Sequence, residues 1–304
     1  MYKYEFDTNR KRVEFCPCGR SNHDGKFVPY VGYTDKGYCY KCPKLFYPDG
    51  PASKLVRPEK NKIKPIIPVS YISPKVLKQS LGKYDENTLF QFLIKLTNAE
   101  TAEKIRKDYF IGTSRFWQGS TVFWQIDAEG KIRSGKILQY AMRPAERCSI
   151  GINCGRVKTN EPSVKWVHKL MKEKDFKLKQ CFFGEHLLRI YPKRKVGILE
   201  SEKSALIAAA YNTDIVWLAC GGVGGLSNEK TKVLEGRNVV LFPDLKMYEV
   251  WKERADNMCK KLKKATTSIS DYLERTATAD EKKDGLDLAD FLIREDWRMY
   301  GKHG

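Results

Sequence analysis

No stretch of this sequence approaches the roughly 18 consecutive apolar residues that a membrane-spanning helix needs. The opening MYKYEFDTNRKRVEF lacks the apolar segment of a secretory signal, and no basic helix with a bulky apolar face suggests a membrane surface. A cytoplasmic location with no membrane partner is therefore expected. No G-x-x-x-x-G-K-[ST] loop occurs, because CGGVGG is a glycine turn only, so a built-in helicase motor is not expected. Acidic residues are in short supply. Against 56 Lys and Arg stand 37 Asp and Glu, a net charge of +19, and such a field attracts polyanions, nucleic acid first. What is present suits a globular chain: 304 residues, 41% hydrophobic and 31% charged, leave room for two or three domains.

Nine cysteines in a chain expected to be cytoplasmic argue against a disulfide scaffold. Five are scattered (Cys148, Cys154, Cys181, Cys220 and Cys259) and suit small buried positions. The other four, Cys16, Cys18, Cys39 and Cys42, form two close pairs separated by a loop of 20 residues. That layout predicts a β zinc ribbon over 1–47, in which four thiolates meet the tetrahedral preference of Zn²⁺. So short a segment needs such a staple, because it cannot build its own apolar core. The first pair is C-x-C rather than C-x-x-C, which leaves His23 as an alternative fourth ligand to Cys18. Aromatics between the pairs, Tyr30 and Tyr33 among them, either stack on bases of a single strand or pack the ribbon.

Residues 48–68 are proline-rich and basic, the composition of a semi-rigid tether. Over 69–190 a mixed α/β region is expected. Its first part, to residue 108, has apolar residues at three-to-four spacing, with Asn98 as a helix cap. STVFWQIDAEGKIRSGKILQY then alternates about Ala128, Glu129 and Gly130 as a hairpin does. Lys131, Arg133 and Lys136 would form its outward face and, with Arg143, contact nucleic acid. Residues 143–180 give little regular pattern, and His168 receives no role.

From residue 191 onward, apolar strands alternate with helices: KVGILE, ESEKSALIAAAY, TDIVWLACGG, SNEKTKVLEG and RNVVLFPD, then a charged helix over about 246–265. That alternation predicts a parallel sheet. Glu200 and Asp244 end the first and third strands, where open α/β sheets place their chemistry.

These residues resemble the toprim domain of primases, topoisomerases and some nucleases. The marks are Glu200, Ser201 and Lys203 in ESEKSA, the glycine turn of ACGG, Asp244 in PDLK, and Asp284, Asp287 and Asp290 in DGLDLADFLI. A zinc ribbon, a tether, a mixed region and then a toprim-like domain with a C-terminal helical segment is the order found in primases. The resemblance implies that Glu200 and Asp244 hold Mg²⁺ or Mn²⁺, with Glu200 nearest the reacting 3′-hydroxyl and Lys203 meeting phosphate. It implies synthesis of short RNA primers from nucleoside triphosphates on single-stranded DNA, for a phage, plasmid or mobile element, with a replicative helicase supplied in trans. The sequence departs from the family at Lys246, where a second acid is expected. Glu249, Asp287 or Asp290 would replace that acid, or the Lys246 ammonium would stand in for a second metal. Otherwise the chain is a non-catalytic nucleic-acid-binding factor for replication or mobilisation, with a degenerate site. A nuclease is disfavoured by the N-terminal cysteine module, and a topoisomerase by the lack of strand-passage domains.

Overall fold

A computed structural model describes residues 4–48, 68–157 and 164–300. The tether expected over 48–68 lies, apart from its two end residues, outside the described residues. The chain divides into two compact units, Met1–Ile66 and Ile67–Gly304.

In the first unit β1 (Phe27–Pro29), β2 (Gly37–Cys39) and β3 (Lys44–Phe46) form an antiparallel sheet in that order. The β1–β2 pairing depends on Gly37. Its φ is +153°, and a β-carbon there would lie 2.1 Å from the carbonyl oxygen of Val28. The core is small: Val13, Cys16, Phe27 and Cys39, with Phe46 packed against it. Buried Asn22 reinforces it. Its Nδ2 donates to the carbonyls of Arg10, Val13 and Phe27 at 2.7, 3.0 and 3.1 Å, and its Oδ1 accepts from the Phe27 amide at 2.6 Å. One side chain thus ties the backbone at Arg10 and Val13 to the start of β1 at Phe27.

The second unit opens with α1 (Pro74–Ser80), α2 (Thr88–Leu96) and α3 (Ala99–Asp108). The helical stretch is broken at Gly82 and Lys83 and restarts on Asn87, whose Oδ1 accepts from the Phe90 amide at 3.1 Å. Asn98 caps α3 by accepting from the Thr101 amide at 2.8 Å. β4 (Gly112–Ser114), β5 (Ser120–Ile126) and β6 (Ile132–Leu138) follow, β5 and β6 being the hairpin expected about Ala128–Gly130. A second hairpin, β7 (Tyr140–Pro144) and β8 (Ile152–Arg156), and then β9 (Lys165–Trp166) with α4 (Val167–Leu170) lie where the sequence pattern is weak. The first sheet runs β4-β5-β6-β9, all antiparallel. His168 of α4 bonds Ser134 of β6 through Nδ1 at 2.7 Å and stacks on Phe176, a packing role.

After α5 (Leu187–Ile190) come β10 (Lys195–Leu199), α6 (Glu202–Tyr211), β11 (Ile215–Ala219), α7 (Asn228–Thr231), β12 (Asn238–Leu241), α8 (Tyr248–Lys261) and β13 (Thr266–Ile269). These strands form one parallel sheet in the order β11-β10-β12-β13. β10 and β11 read as near-continuous apolar runs because helices cover parallel sheets on both faces. At Gly197 the Trp217 ring crosses the strand so closely that a β-carbon would meet it at 2.5 Å. Three short helices close the chain: α9 (Tyr272–Thr276), α10 (Ala279–Asp284) and α11 (Leu288–Leu292). One core runs from Leu89 of α2 to Trp297, through both the middle region and the parallel sheet. The two regions separated at residue 190 on sequence therefore share this core, and a smaller cluster about Trp124 lies within the middle region. No helix among the described residues is long and apolar enough to cross a membrane.

Candidate functional site

The order β11-β10-β12 means that the chain leaves β10 in one direction and returns on its other side. The carboxyl ends of β10 and β12 flank this switch point, where open α/β sheets form a crevice. Glu200 follows β10 and Asp244 follows β12, so both acids stand at that crevice. The strand ends are locked. The Phe242 amide donates to Ile198 at 2.9 Å, and Gly221 of the glycine turn after β11 donates to the Glu200 carbonyl at 2.9 Å.

The C-terminal segment supplies two further acids. The Leu245 amide donates to the Leu286 carbonyl at 3.0 Å, which ties the β12 end to the loop before α11. Asp287 caps α11, and Asp290 returns the bond, each side chain accepting from the other's amide at 3.1 Å. The other oxygen of Asp287 accepts from the Ser204 hydroxyl on α6. This reciprocal cap gives both aspartates a structural task beside any chemical one.

The charges interact. Burial pushes the Asp244 carboxyl up to about 8, and the nearby Asp287, Glu200 and Asp290 push in the same direction. Glu200 is raised by burial, opposed by Lys136, and raised again by Asp287 and Glu202. Burial and Asp287 raise Asp290, with Lys203 pulling the other way. Like charges held together disfavour ionisation, and a cation among them restores it. Lys203 at the start of α6 donates to the Cys154 carbonyl of β8 at 3.3 Å, between the acids and the β7–β8 hairpin.

A cleft of about 280 Å³ opens beside Glu200, lined by Ser201, Lys203, Arg156, Tyr140 and the Gly221–Gly222 turn. Sequence reasoning missed its floor. Glu202 is buried, and both its oxygens accept from Lys136 Nζ, at 3.0 and 2.8 Å. Nothing in ESEKSA distinguishes this partner-bound acid from the crevice acid two residues before it. Lys230 on α7 was missed as well. Its Nζ donates to the Cys220 carbonyl at 2.9 Å and lies 5.0 Å above the Phe182 ring, fixing the end of β11 from below.

Other expected residues are placed differently. Glu249 is exposed in the first turn of α8. Lys246 has a left-handed backbone, φ 74°, and its side chain leans over Gly285. The outward basic face expected on β6 is not formed, because the flanking elements cover both faces of the strand. Arg133 is held by Asp127 at 2.7 Å and is largely buried, and Lys136 is held by Glu202. Lys131 is exposed but pairs with Glu129 at 3.0 Å and sits over the Tyr71 ring. Arg143 is exposed on β7. In the N-terminal unit Tyr30 is buried and stacked on Phe6 at 4.7 Å, and half-buried Tyr33 meets Tyr4 edge-on, so both rings pack the unit. Among the described residues the exposed rings there are Phe6, Phe15, Tyr40 and Tyr47, and Phe6 is the one engaged in stacking on Tyr30.

The Sγ atoms of Cys16, Cys18, Cys39 and Cys42 all lie within 4.8 Å of one another, so these four residues could hold a metal such as zinc. His23 is not among them. The turn is built for the purpose: the Gly19 amide donates to the Cys16 carbonyl at 2.8 Å, and the Cys18 amide points at the Cys16 sulfur at 3.5 Å. Burial pushes the Cys16 thiol up, while the hydrogen bond with Cys16 and the Arg20 amide hold Cys18 down at about 7. Among the described residues the acids of the crevice form no comparably tight group.

The fold and the site define a mixed α/β protein that carries a four-cysteine cluster and a strand-end acid crevice. Residues 87–245, over half of the chain, match the family described as Domain of unknown function (DUF6371), and the chain belongs to that family. The match includes Glu200, Lys203 and Asp244 and leaves out the four-cysteine cluster, Asp287 and Asp290. No curated protein matches the chain.

Proposed function

We propose that the protein is a metal-dependent DNA primase-like enzyme that makes short RNA primers on single-stranded DNA from nucleoside triphosphates. The observation that carries this reading is the gathering of Glu200, Asp244, Asp287 and Asp290 about the carboxyl ends of β10 and β12, where burial and the neighbouring acids push the Asp244 carboxyl up to about 8. Carboxylates are the donors that Mg²⁺ and Mn²⁺ prefer, and a cation beside Asp244 would favour its ionised form. Asp244 and Glu200 would hold it, with Asp287 behind them. When bound, the ion would supply charge neutralisation on phosphate and activation of a primer 3′-hydroxyl.

The rest falls to the chain's own residues. Glu200, at the mouth of the cleft, is the acid placed to face the reacting hydroxyl. Lys203 can exchange the Cys154 carbonyl for a phosphate oxygen, a better partner for an ammonium. The Gly221–Gly222 turn lets a ligand approach backbone without meeting side chains. The N-terminal cysteine module would act as a zinc ribbon holding template, with Phe15, Tyr40 and Tyr47 as the rings available for stacking. The toprim resemblance and the absence of a motor loop make a helicase in trans the natural partner.

A second reading, a nucleic-acid-binding replication or mobilisation factor, is favoured by one observation: Asp287 and Asp290 are engaged in capping α11, and Lys246 stands where a further acid would complete the site. One assay separates the two. Purified protein is incubated with single-stranded DNA, labelled ribonucleotides and Mg²⁺ or Mn²⁺, beside Glu200→Ala. Short template-dependent products that vanish in the variant support the enzyme. No product, with salt-sensitive DNA binding that Glu200→Ala leaves unchanged, supports the binding factor.

A further inference from the structure

Lys246 is not the cation that enters the crevice beside Glu200. A β-carbon placed at Gly285 would lie 3.7 and 3.9 Å from the Cδ and Cε of Lys246, so that side chain lies along the loop before α11. The ammonium on the Glu200 side belongs to Lys136, which reaches in from β6 of the antiparallel sheet. Its Nζ meets both oxygens of Glu202, at 3.0 and 2.8 Å. Both side chains are removed from water, at 13% and 3% exposure. Lys136, Glu202 and Glu200 line one cleft, so the ammonium stands there with two carboxylates that are two residues apart.

A cation held by both oxygens of one carboxylate and attracted by a second has the surroundings of a bound divalent ion. The difference is that it is tethered by the backbone, carries one charge, and has no open coordination position. We infer that Lys136 is a resident cation that takes the place of a second metal ion between Glu200 and Glu202. The crevice therefore accepts one divalent ion, on the Asp244 side, instead of two. This rests on the metal-site reading of Asp244 and Glu200 only for that first ion. The Lys136 position stands on its own contacts. Removing the ammonium leaves Glu202 buried and uncompensated, the condition that recruits an external cation.

The test is the number of Mn²⁺ ions bound per chain, read by electron paramagnetic resonance on the full-length, zinc-saturated protein, for the natural chain, Lys136→Met and Glu202→Gln. Lys136→Met is expected to bind one ion more than the natural chain. Glu202→Gln, which keeps Lys136, is expected to bind no additional ion. A gain from one to two supports both the inference and the metal-site reading. A gain from none to one supports Lys136 as a resident cation while removing the Asp244 site. An unchanged count in Lys136→Met, or an additional ion in Glu202→Gln, overturns the inference. If Lys136→Met does not fold alone, recovery of its circular-dichroism spectrum on adding Mn²⁺ reports the same gain, and failure to recover at any Mn²⁺ concentration overturns it.

Discussion

Replacing Asp244 with Asn should make the protein more stable, and increasingly so as the pH rises. Burial and three neighbouring acids move the Asp244 ionisation from its ordinary 3.8 to about 8. Below pH 3.8 the carboxyl is protonated in both folded and unfolded chains, and it contributes no difference. Above that value the unfolded chain releases its proton while the folded chain keeps it, so the fold loses stability with rising pH until about pH 8. Each pH unit in this window corresponds to about 1.4 kcal/mol. Between pH 5 and 8 full burial would give about 4 kcal/mol. Asp244 keeps some solvent contact, which screens the repulsion, so about 2–3 kcal/mol is expected. Asn is neutral at every pH and nearly the same size. The assay is urea unfolding of both proteins with EDTA, at pH 5, 7 and 9. The gap in favour of Asp244→Asn should widen by that amount between pH 5 and 9. Parallel pH profiles, or a variant that is the less stable at pH 9, would refute the electrostatic account of the crevice.

Other perturbations have equally definite outcomes. Cys39→Ser, or a strong chelator, should remove bound zinc and the structure of Met1–Ile66 while the melting of Ile67–Gly304 stays in place, since a thiolate site stabilises only the unit it staples. Metal content and two-transition calorimetry check this. Asn87→Ala should cost about 2–4 kcal/mol in urea unfolding. It removes the α2 cap, bonds to the Gly112 carbonyl at 3.1 Å and the Thr113 hydroxyl at 3.2 Å, and the acceptor for the Thr121 hydroxyl at 2.9 Å. Gly197→Ala should lower the melting temperature by several degrees, an overpacking cost of about 1–3 kcal/mol, because its β-carbon meets the Trp217 ring. A tryptophan fluorescence shift should accompany it.

The alternation of apolar strands with helices from Lys195 onward made the parallel sheet legible, and the carboxyl strand ends marked Glu200 and Asp244. Two cysteine pairs likewise marked the four thiols that come together in the N-terminal unit. Less was legible wherever the outcome depended on what covers a surface. The alternation in β6 marks two faces, yet it cannot tell that α4 packs against the strand and that Glu202 of α6 and Asp127 lie within reach of its cations, so Arg133 and Lys136 looked like free cations. Both are held by buried acids. Tyr30 looked available for stacking because the residues that bury it, Tyr4 and Phe6, lie outside the cysteine spacing that drew attention. DGLDLADFLI was noticed for its acids, but the capping box that engages Asp287 and Asp290 depends on where α11 begins. Lys246 drew attention because it departs from a pattern, whereas the cation beside Glu200 comes from residue 136, on a different sheet.

The most direct test of the central claim is template-dependent ribonucleotide incorporation on single-stranded DNA by the natural chain and by Glu200→Ala, with DNA binding measured in parallel. The account predicts short products that need Mg²⁺ or Mn²⁺, fall by about a hundredfold or more in the variant, and leave DNA affinity unchanged. Products that persist in Glu200→Ala, or their absence from the natural chain on every template and metal tried, would contradict it.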